Sequence, residues 1–308
     1  MRSKRWKRPW STSGRRGNII GWCITWPRQA ALRRARRATE MAAVKKGKVV
    51  IFGAGGPVGA AAIQVLKDHY TLRVTDLKPM AEIAAAPSPQ GPQAPVPELL
   101  GAPHENRVVD ITQYEQVLEA CKGMDAAINL TVVRPHPVLA FRVSMVGAFN
   151  LAKAAAECKL KRLIHTGPYH TAMGHEADYW NDFQVAPEVP LHPGDDLYAL
   201  TKYLGLQITD TFARQRGLEV LTYLFCNFQP RQLAPEDRGR GIHPFATSWE
   251  DTGESFLCGL RAPPMPSPHE VFFICADLPH GKFRADKAER LLKWKAKDTF
   301  EEWYRKRG

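Results

Sequence analysis

The stretch "VVIFGAGGPVGAAAIQVL", Val49–Leu66, constrains this chain more than any other. Its first residues read as a buried strand and the apolar run after Pro57 reads as a helix, with Gly53, Gly55, Gly56 and Gly59 crowded at the join. So tight a strand-to-helix turn needs a residue that tolerates positive φ. A missing Cβ also lets an anionic group approach the backbone, and a glycine inside the helix lets it pack closely on a sheet. The helix start then offers unpaired N–H groups and the positive end of its dipole.

The spacing Gly53-x-x-Gly56-x-x-Gly59, with Pro57 and Val58 opening the helix, suits a dinucleotide pyrophosphate. Such a site also needs an acid at the end of the second strand to hold a ribose hydroxyl. "TLRVTDL" supplies Asp76, 17 residues past Gly59. A carboxylate there repels a 2′-phosphate and favours NAD over NADP, although Lys78 nearby pulls the other way.

The segments that follow alternate. Lys48–Phe52, Thr71–Thr75, Arg107–Val109, Asp125–Val132, Arg162–Thr166 and Glu219–Phe225 read as strands. Pro57–His69, Thr112–Lys122, Pro137–Lys159 and Asp195–Arg216 read as helices. Short apolar strands alternating with helices predict a Rossmann-like α/β fold, a doubly wound parallel sheet covered on both faces. The Pro- and Ala-rich stretch Pro79–Asn106 suits a surface excursion, and Gly167–Gly194 is a long connection of the kind that often carries function. After Phe225 the pattern changes. A polar loop, a helix over Ser248–Leu260, a strand over Val271–Cys275 and amphipathic segments Ala285–Trp294 and Thr299–Lys306 predict a small appended C-terminal lobe over 226–308. The dinucleotide-binding domain is expected over 41–225.

The formal charge of +12 suggests nucleic acid until it is mapped. Residues 1–39 carry 10 Arg, 2 Lys and no acid, so 31 basic residues face 31 acidic ones in the rest of the chain. The basicity belongs to the head, and no nucleic-acid partner is expected for the body. The head admits three readings: an Arg-rich organelle-targeting segment, a twin-arginine signal through Arg15 and Arg16, or an upstream stretch translated from an early start codon. Met41 directly before "AAVKKGKVVIFG" favours the third, and residues 1–40 are expected to be poorly ordered. No apolar run is expected to reach the ~20 residues that cross a membrane. The six Cys show no paired spacing, which fits a reducing compartment and a cytoplasmic setting. His165, His170, His175, His192 and His243 match no common metal-ligand spacing, and no metal is expected.

Tyr198 and Lys202 in "DDLYALTKYLG" stand four apart and share a helix face. An ammonium near a phenol favours the phenolate, giving a base able to take a proton from a substrate hydroxyl. Together with the glycine turn, Asp76, "VVDI" (Val108–Ile111) and "GAFNLAKAA" (Gly147–Ala155), this pair resembles the extended short-chain dehydrogenase/reductases, the NAD-dependent epimerase/dehydratase group. The likeness runs over roughly Lys48–Arg305, and the tail "KAERLLKWKAKDTFEEW" is similar to the family's usual ending.

The resemblance implies that Gly53, Gly56 and Gly59 cradle the pyrophosphate, that Asp76 holds the adenosine ribose, and that Asp110 and Ile111 flank the adenine. It implies that Leu130 and Thr131 lie on the nicotinamide side, that Tyr198 is the base, and that Lys202 binds the nicotinamide ribose. It further implies that Asn227 and Arg231 in "CNFQPRQ" contact a sugar or nucleotide-sugar, and that the long helix near 138–155 makes a homodimer interface. The sequence departs from the family twice. Where the family has a Ser-Ser or Ser-Thr pair, this chain has "LIHTGPYHT", with Thr166 the best hydroxyl and Thr171 a fallback, although Gly167 or Pro168 could fall at that position. Ser144 stands where the family often has Asn. These departures leave an alternative, a catalytically silent NAD(P)-binding regulatory or scaffold protein. No Thr-Asp-Glu marks a dehydratase. "PGDDLYALTKYLG" also looks like the uronate dehydrogenases of this family, which admits a free sugar as substrate.

Overall fold

The computed structural model describes residues 46–88, 91, 93–173, 183–232, 245–278 and 281–301. The basic head, His175, His243 and most of the last amphipathic segment lie outside the described residues.

Seven parallel strands form the central sheet, in the order β3-β2-β1-β4-β5-β6-β9. They are β1 (Lys48–Phe52), β2 (Thr71–Asp76), β3 (Glu105–Val108), β4 (Ala126–Asn129), β5 (Arg162–Pro168), β6 (Glu219–Phe225) and β9 (His269–Ile274). A two-stranded parallel pair, β7 (Phe228–Gln229) and β8 (Thr247–Ser248), lies between β6 and β9 in the chain. The helices are α1 (Pro57–Leu66), α2 (Met80–Ala85), α3 (Tyr114–Cys121), α4 (Pro137–Glu157), α5 (His170–Met173), α6 (Leu197–Arg216) and α7 (Trp249–Arg261).

The strands are apolar almost throughout because both faces are covered. Val49 and Ile51 of β1 pack with Ile63, Leu66, Tyr223, Phe256 and Phe272 on one face. Val50 and Phe52 pack with Val117, Leu151, Leu163 and Val220 on the other. The strand order reverses between β1 and β4, the place where such sheets leave a crevice at their carboxyl ends.

The region expected as an appended lobe returns to the sheet instead. Strand β9 pairs with β6 in parallel, Phe225 opposite Ile274. Helix α7 lies on α1 so closely that a Cβ on Gly253 would run into the carbonyl oxygen of Ala61. Segments β6, α7 and β9 therefore make one more βαβ crossover. The polar loop after Phe225 hides it in the sequence, because that loop separates the strand from its helix by more than twenty residues.

Helix α4 also differs from expectation. By length and composition alone, Pro137–Glu157 is apolar enough to cross a membrane, although half of that stretch is buried inside the protein. A helix wedged between a sheet and a neighbouring helix is apolar on two sides, which raises its mean hydropathy. It contains a π-helical stretch, Arg142–Val146, near its contact with α6. There a Cβ on Gly205 would sit 2.5 Å from the Ser144 carbonyl oxygen.

Candidate active site

Two cavities adjoin at Gly56, at the carboxyl ends of the strands. The first, about 390 Å³, is lined by Gly53, Gly56, Gly59, Leu130, Thr166, Tyr198, Lys202 and Asn227 among others. The second, about 340 Å³, is lined by Gly55, Gly56, Asp76 and side chains of the Pro- and Ala-rich excursion, including Ile83, Pro87 and Val96.

The glycines of the turn have different reasons. Gly53 has φ +76°, and a Cβ there would lie 2.8 Å from the Thr131 amide nitrogen. A Cβ on Gly59 would strike the carbonyl oxygen of Ala54. The fold itself demands these two. Gly56 is different: a Cβ there would meet only the Gly53 carbonyl oxygen, at 4.0 Å. Gly56 caps the amino end of α1 and faces both cavities. The space kept free at this position is space for something other than protein, as a pyrophosphate at a helix start would require. Pro57 and Val58 line the same wall.

Asp76 ends β2 and accepts hydrogen bonds from the amides of Gly55 (2.9 Å) and Leu77 (2.8 Å). Its two oxygens have lone pairs left for hydroxyl donors in the second cavity. Asp110 is used locally: its Oδ1 accepts from the amide and hydroxyl of Thr112. Ile111 is buried, and its carbonyl accepts from Asn150 Nδ2 at 3.0 Å. Neither of these two lines either cavity.

Helix α6 carries Tyr198 and Lys202. Asp196 caps it, accepting from the Ala199 amide at 2.8 Å, so Tyr198 falls in the first turn and Lys202 one turn later on the same side. Lys202 is 3% exposed and donates to the Thr131 carbonyl at 3.1 Å. That carbonyl is presented by a side-chain turn: Asn129 Oδ1 accepts from the amide (3.2 Å) and hydroxyl (2.8 Å) of Thr131. Asn129 Nδ2 lies 3.2 Å from Nδ1 of His165, which is fully enclosed and held neutral by burial. Burial, followed by the charge of Arg134, lowers the Lys202 ammonium to about 7. An ammonium has three donors, and one acceptor here is a protein group. The remaining capacity suits ribose hydroxyls.

The cation beside the Tyr198 ring is not the expected one. Arg134, on the loop after β4, stands with its guanidinium carbon 4.9 Å from the ring centroid. Burial raises the Tyr198 phenol, while the charge and hydrogen bond of Arg134 oppose that rise. Helical spacing in the sequence points to Lys202 for this task and not to Arg134, for which the linear sequence carries no signal beyond its place just past Thr131.

Thr166 reaches the wall of the first cavity with its hydroxyl donated to the Asn129 carbonyl at 2.8 Å. Gly167 beside it also lines the cavity and offers no hydroxyl. Thr171 is fully buried and donates to the Pro168 carbonyl, away from the cavity lining. Asn227 stands on the wall. Arg231 does not: its guanidinium pairs with Asp298 at 2.8 Å on the exposed side of the tail. Among the described residues no group of three His, Cys, Asp or Glu side chains could hold a metal ion.

A family model described as "NAD dependent epimerase/dehydratase family" matches residues 49–244. No curated protein matches the sequence. Solved structures do. A glucuronic acid dehydrogenase from Chromohalobacter salexigens aligns with a TM-score of 0.66 at 20% identity, over 83% of this chain and 86% of that one. A uronate dehydrogenase from Agrobacterium tumefaciens aligns with a TM-score of 0.64 at 20% identity, over 82% and 85%. A UDP-glucose 4-epimerase from Thermotoga maritima aligns with a TM-score of 0.62 at 14% identity, over 83% and 96%.

Proposed function

The chain belongs to the NAD dependent epimerase/dehydratase family, enzymes of the extended short-chain dehydrogenase/reductase type, and on that premise we propose that it oxidises or epimerises a hydroxyl of a sugar or nucleotide-sugar with Tyr198 as general base. The observation that carries the reading is that Tyr198 and Lys202 line one cavity with Gly53, Gly56 and Gly59. NAD, when bound, supplies the nicotinamide ring that takes up the substrate's hydride.

The chain's own residues divide the remaining work. Gly53, Gly56, Pro57, Val58 and Gly59 bind the pyrophosphate at the start of α1. Asp76 binds the adenosine ribose in the second cavity, and Asp110 and Ile111, which line neither cavity, have no part in this reading. Leu130 and Thr131 stand beside the nicotinamide ribose, and Lys202 holds that ribose with the donors the protein leaves unmet. Tyr198 takes the hydroxyl proton of the substrate onto its phenolate oxygen. Burial opposes that anion, and Arg134 offsets part of the cost. Thr166 serves the substrate oxygen once its O–H turns from the Asn129 carbonyl into the cavity, and Asn227 contacts the sugar. Arg231 has no part in this reading, since reaching the cavity would break its pair with Asp298.

The proposed setting is the cytoplasm, with a second copy of the chain as partner. Exposed Val138, Leu139, Val146 and Phe149 on α4 support that partner.

The test is turnover. The full chain is incubated with NAD and, separately, glucuronate, glucose and UDP-glucose, and both NADH and epimer formation are followed. Turnover of at least one, abolished in Tyr198→Phe while NAD still binds, supports the proposal. NAD binding with no turnover in either form is the behaviour of a silent scaffold and overturns it.

A further inference from the structure

The charges around the reacting end of the first cavity are one-sided. Among the described residues, the cations Arg134 and Lys202 line it, and no Asp or Glu does. Arg134 is exposed on its loop, and among the described residues it forms no ion pair with a carboxylate. Its neighbour is the face of Tyr198, 4.9 Å away, a contact that positions the guanidinium without neutralising it. Lys202 is occupied with the Thr131 carbonyl and buried, whereas Arg134, beyond the one hydrogen bond it gives Tyr198, keeps the further donors of its guanidinium fork at the cavity mouth.

A guanidinium in this state recognises carboxylate and phosphate oxygens in a bidentate manner. The Gly56 end of the cavity already provides for a pyrophosphate through backbone N–H groups. Arg134 stands at the other end, against the general base. An anion bound there belongs to the molecule whose hydroxyl faces Tyr198. We infer that the substrate carries a compact anionic substituent on its reacting sugar, a carboxylate or a phosphate monoester, and that Arg134 is the specificity-determining residue that reads it. This rests on the reading of the cavity as the hydride-transfer site and narrows the substrate from sugars in general to acidic ones. A neutral sugar leaves the fork unsatisfied, and a nucleotide-sugar with a neutral ring places its charge away from Arg134.

The experiment measures binding, so that an unknown catalytic outcome does not enter. The full chain is loaded with NADH, which prevents oxidation of the hydroxyl, and titrated calorimetrically with glucuronate, glucose 6-phosphate, glucose and UDP-glucose. The wild type is expected to bind glucuronate or glucose 6-phosphate at least tenfold more tightly than glucose, and which of the two wins identifies the anion. Arg134→Met is expected to remove that preference, and Arg134→Lys to retain part of it, with NADH affinity within twofold of wild type in both. NADH binding with no preference for either anion, a preference unchanged in Arg134→Met, or UDP-glucose binding more tightly than both anions would overturn the inference and leave the proposed function standing. Failure of the wild type to bind NADH would overturn both.

Discussion

The glycine turn and the wall that carries Tyr198 and Lys202 face the same cavity, yet they are built on different principles. The turn, Gly53 to Gly59, is contiguous and its geometry is steric. Gly53 is there for a positive φ, Gly59 for contact with Ala54, and Gly56 for space left to a ligand. The wall is assembled from the ends of β4 and β5 and the start of α6, and its character is electrostatic. Lys202 loses its charge advantage to burial, and Arg134 takes the place beside Tyr198. Short-range sterics are fixed by residue type and spacing. Burial and cross-chain charge are fixed only when the chain has folded.

The sharpest break between the two regions comes from Tyr198→Phe. It removes the proposed proton acceptor and leaves the turn intact, so turnover should fall ~10²–10⁴-fold while NAD affinity stays within twofold, by steady-state kinetics beside calorimetry. Next is the steric claim. Gly53→Ala forces a side chain into left-handed backbone against the Thr131 amide and should cost ~1–3 kcal/mol of stability, read as a lowered denaturation midpoint.

The third prediction concerns Lys202 in the protein free of cofactor. Its folded value is about 7 against an ordinary 10.5. Below pH 7 both folded and unfolded forms are protonated, and the full burial cost is present. Between 7 and 10.5 the unfolded chain binds more protons than the folded one, so this group's contribution to stability rises with pH. Melting curves from pH 7 to pH 9.5 should show that rise in the wild type and a flatter profile in Lys202→Met, which should also be the more stable protein at pH 7. The smallest effect is expected at Arg231→Ala. Its pair with Asp298 is at the surface, Arg231 being 44% exposed, so chemical denaturation should register ~1 kcal/mol or less, with sugar binding unchanged.

The same division explains what the sequence reveals. Strands Lys48–Phe52 and Glu219–Phe225 are read to the residue because their apolar runs stop at Gly53 and Cys226. Asp76, singled out by its distance from the turn, lines the second cavity. Tyr198 and Lys202 are found by helical spacing, and both reach the cavity. The tuning of Tyr198 is not found, because Arg134 lies 64 residues away in the chain, a partner supplied by the fold alone. The Asn129–Thr131–Lys202 chain of hydrogen bonds escapes for the same reason. Arg231 is misplaced because its partner, Asp298, comes from the tail. Strand β9 is assigned to a separate lobe because sequence distance stands in poorly for sheet order.

The central claim is that the turn holds NAD, and Gly56 tests it most directly. Apart from its own chain neighbours and helix backbone, a methyl group there meets only the Gly53 carbonyl oxygen, at 4.0 Å, so it disturbs the ligand and spares the fold. Calorimetric titration of NAD into the full chain and into Gly56→Ala is the measurement, with melting temperature as control. One NAD per wild-type chain, bound at least tenfold more weakly by Gly56→Ala at an unchanged melting temperature, is the result the account predicts. A wild type that binds no NAD, or a Gly56→Ala variant that binds it equally well, would contradict it.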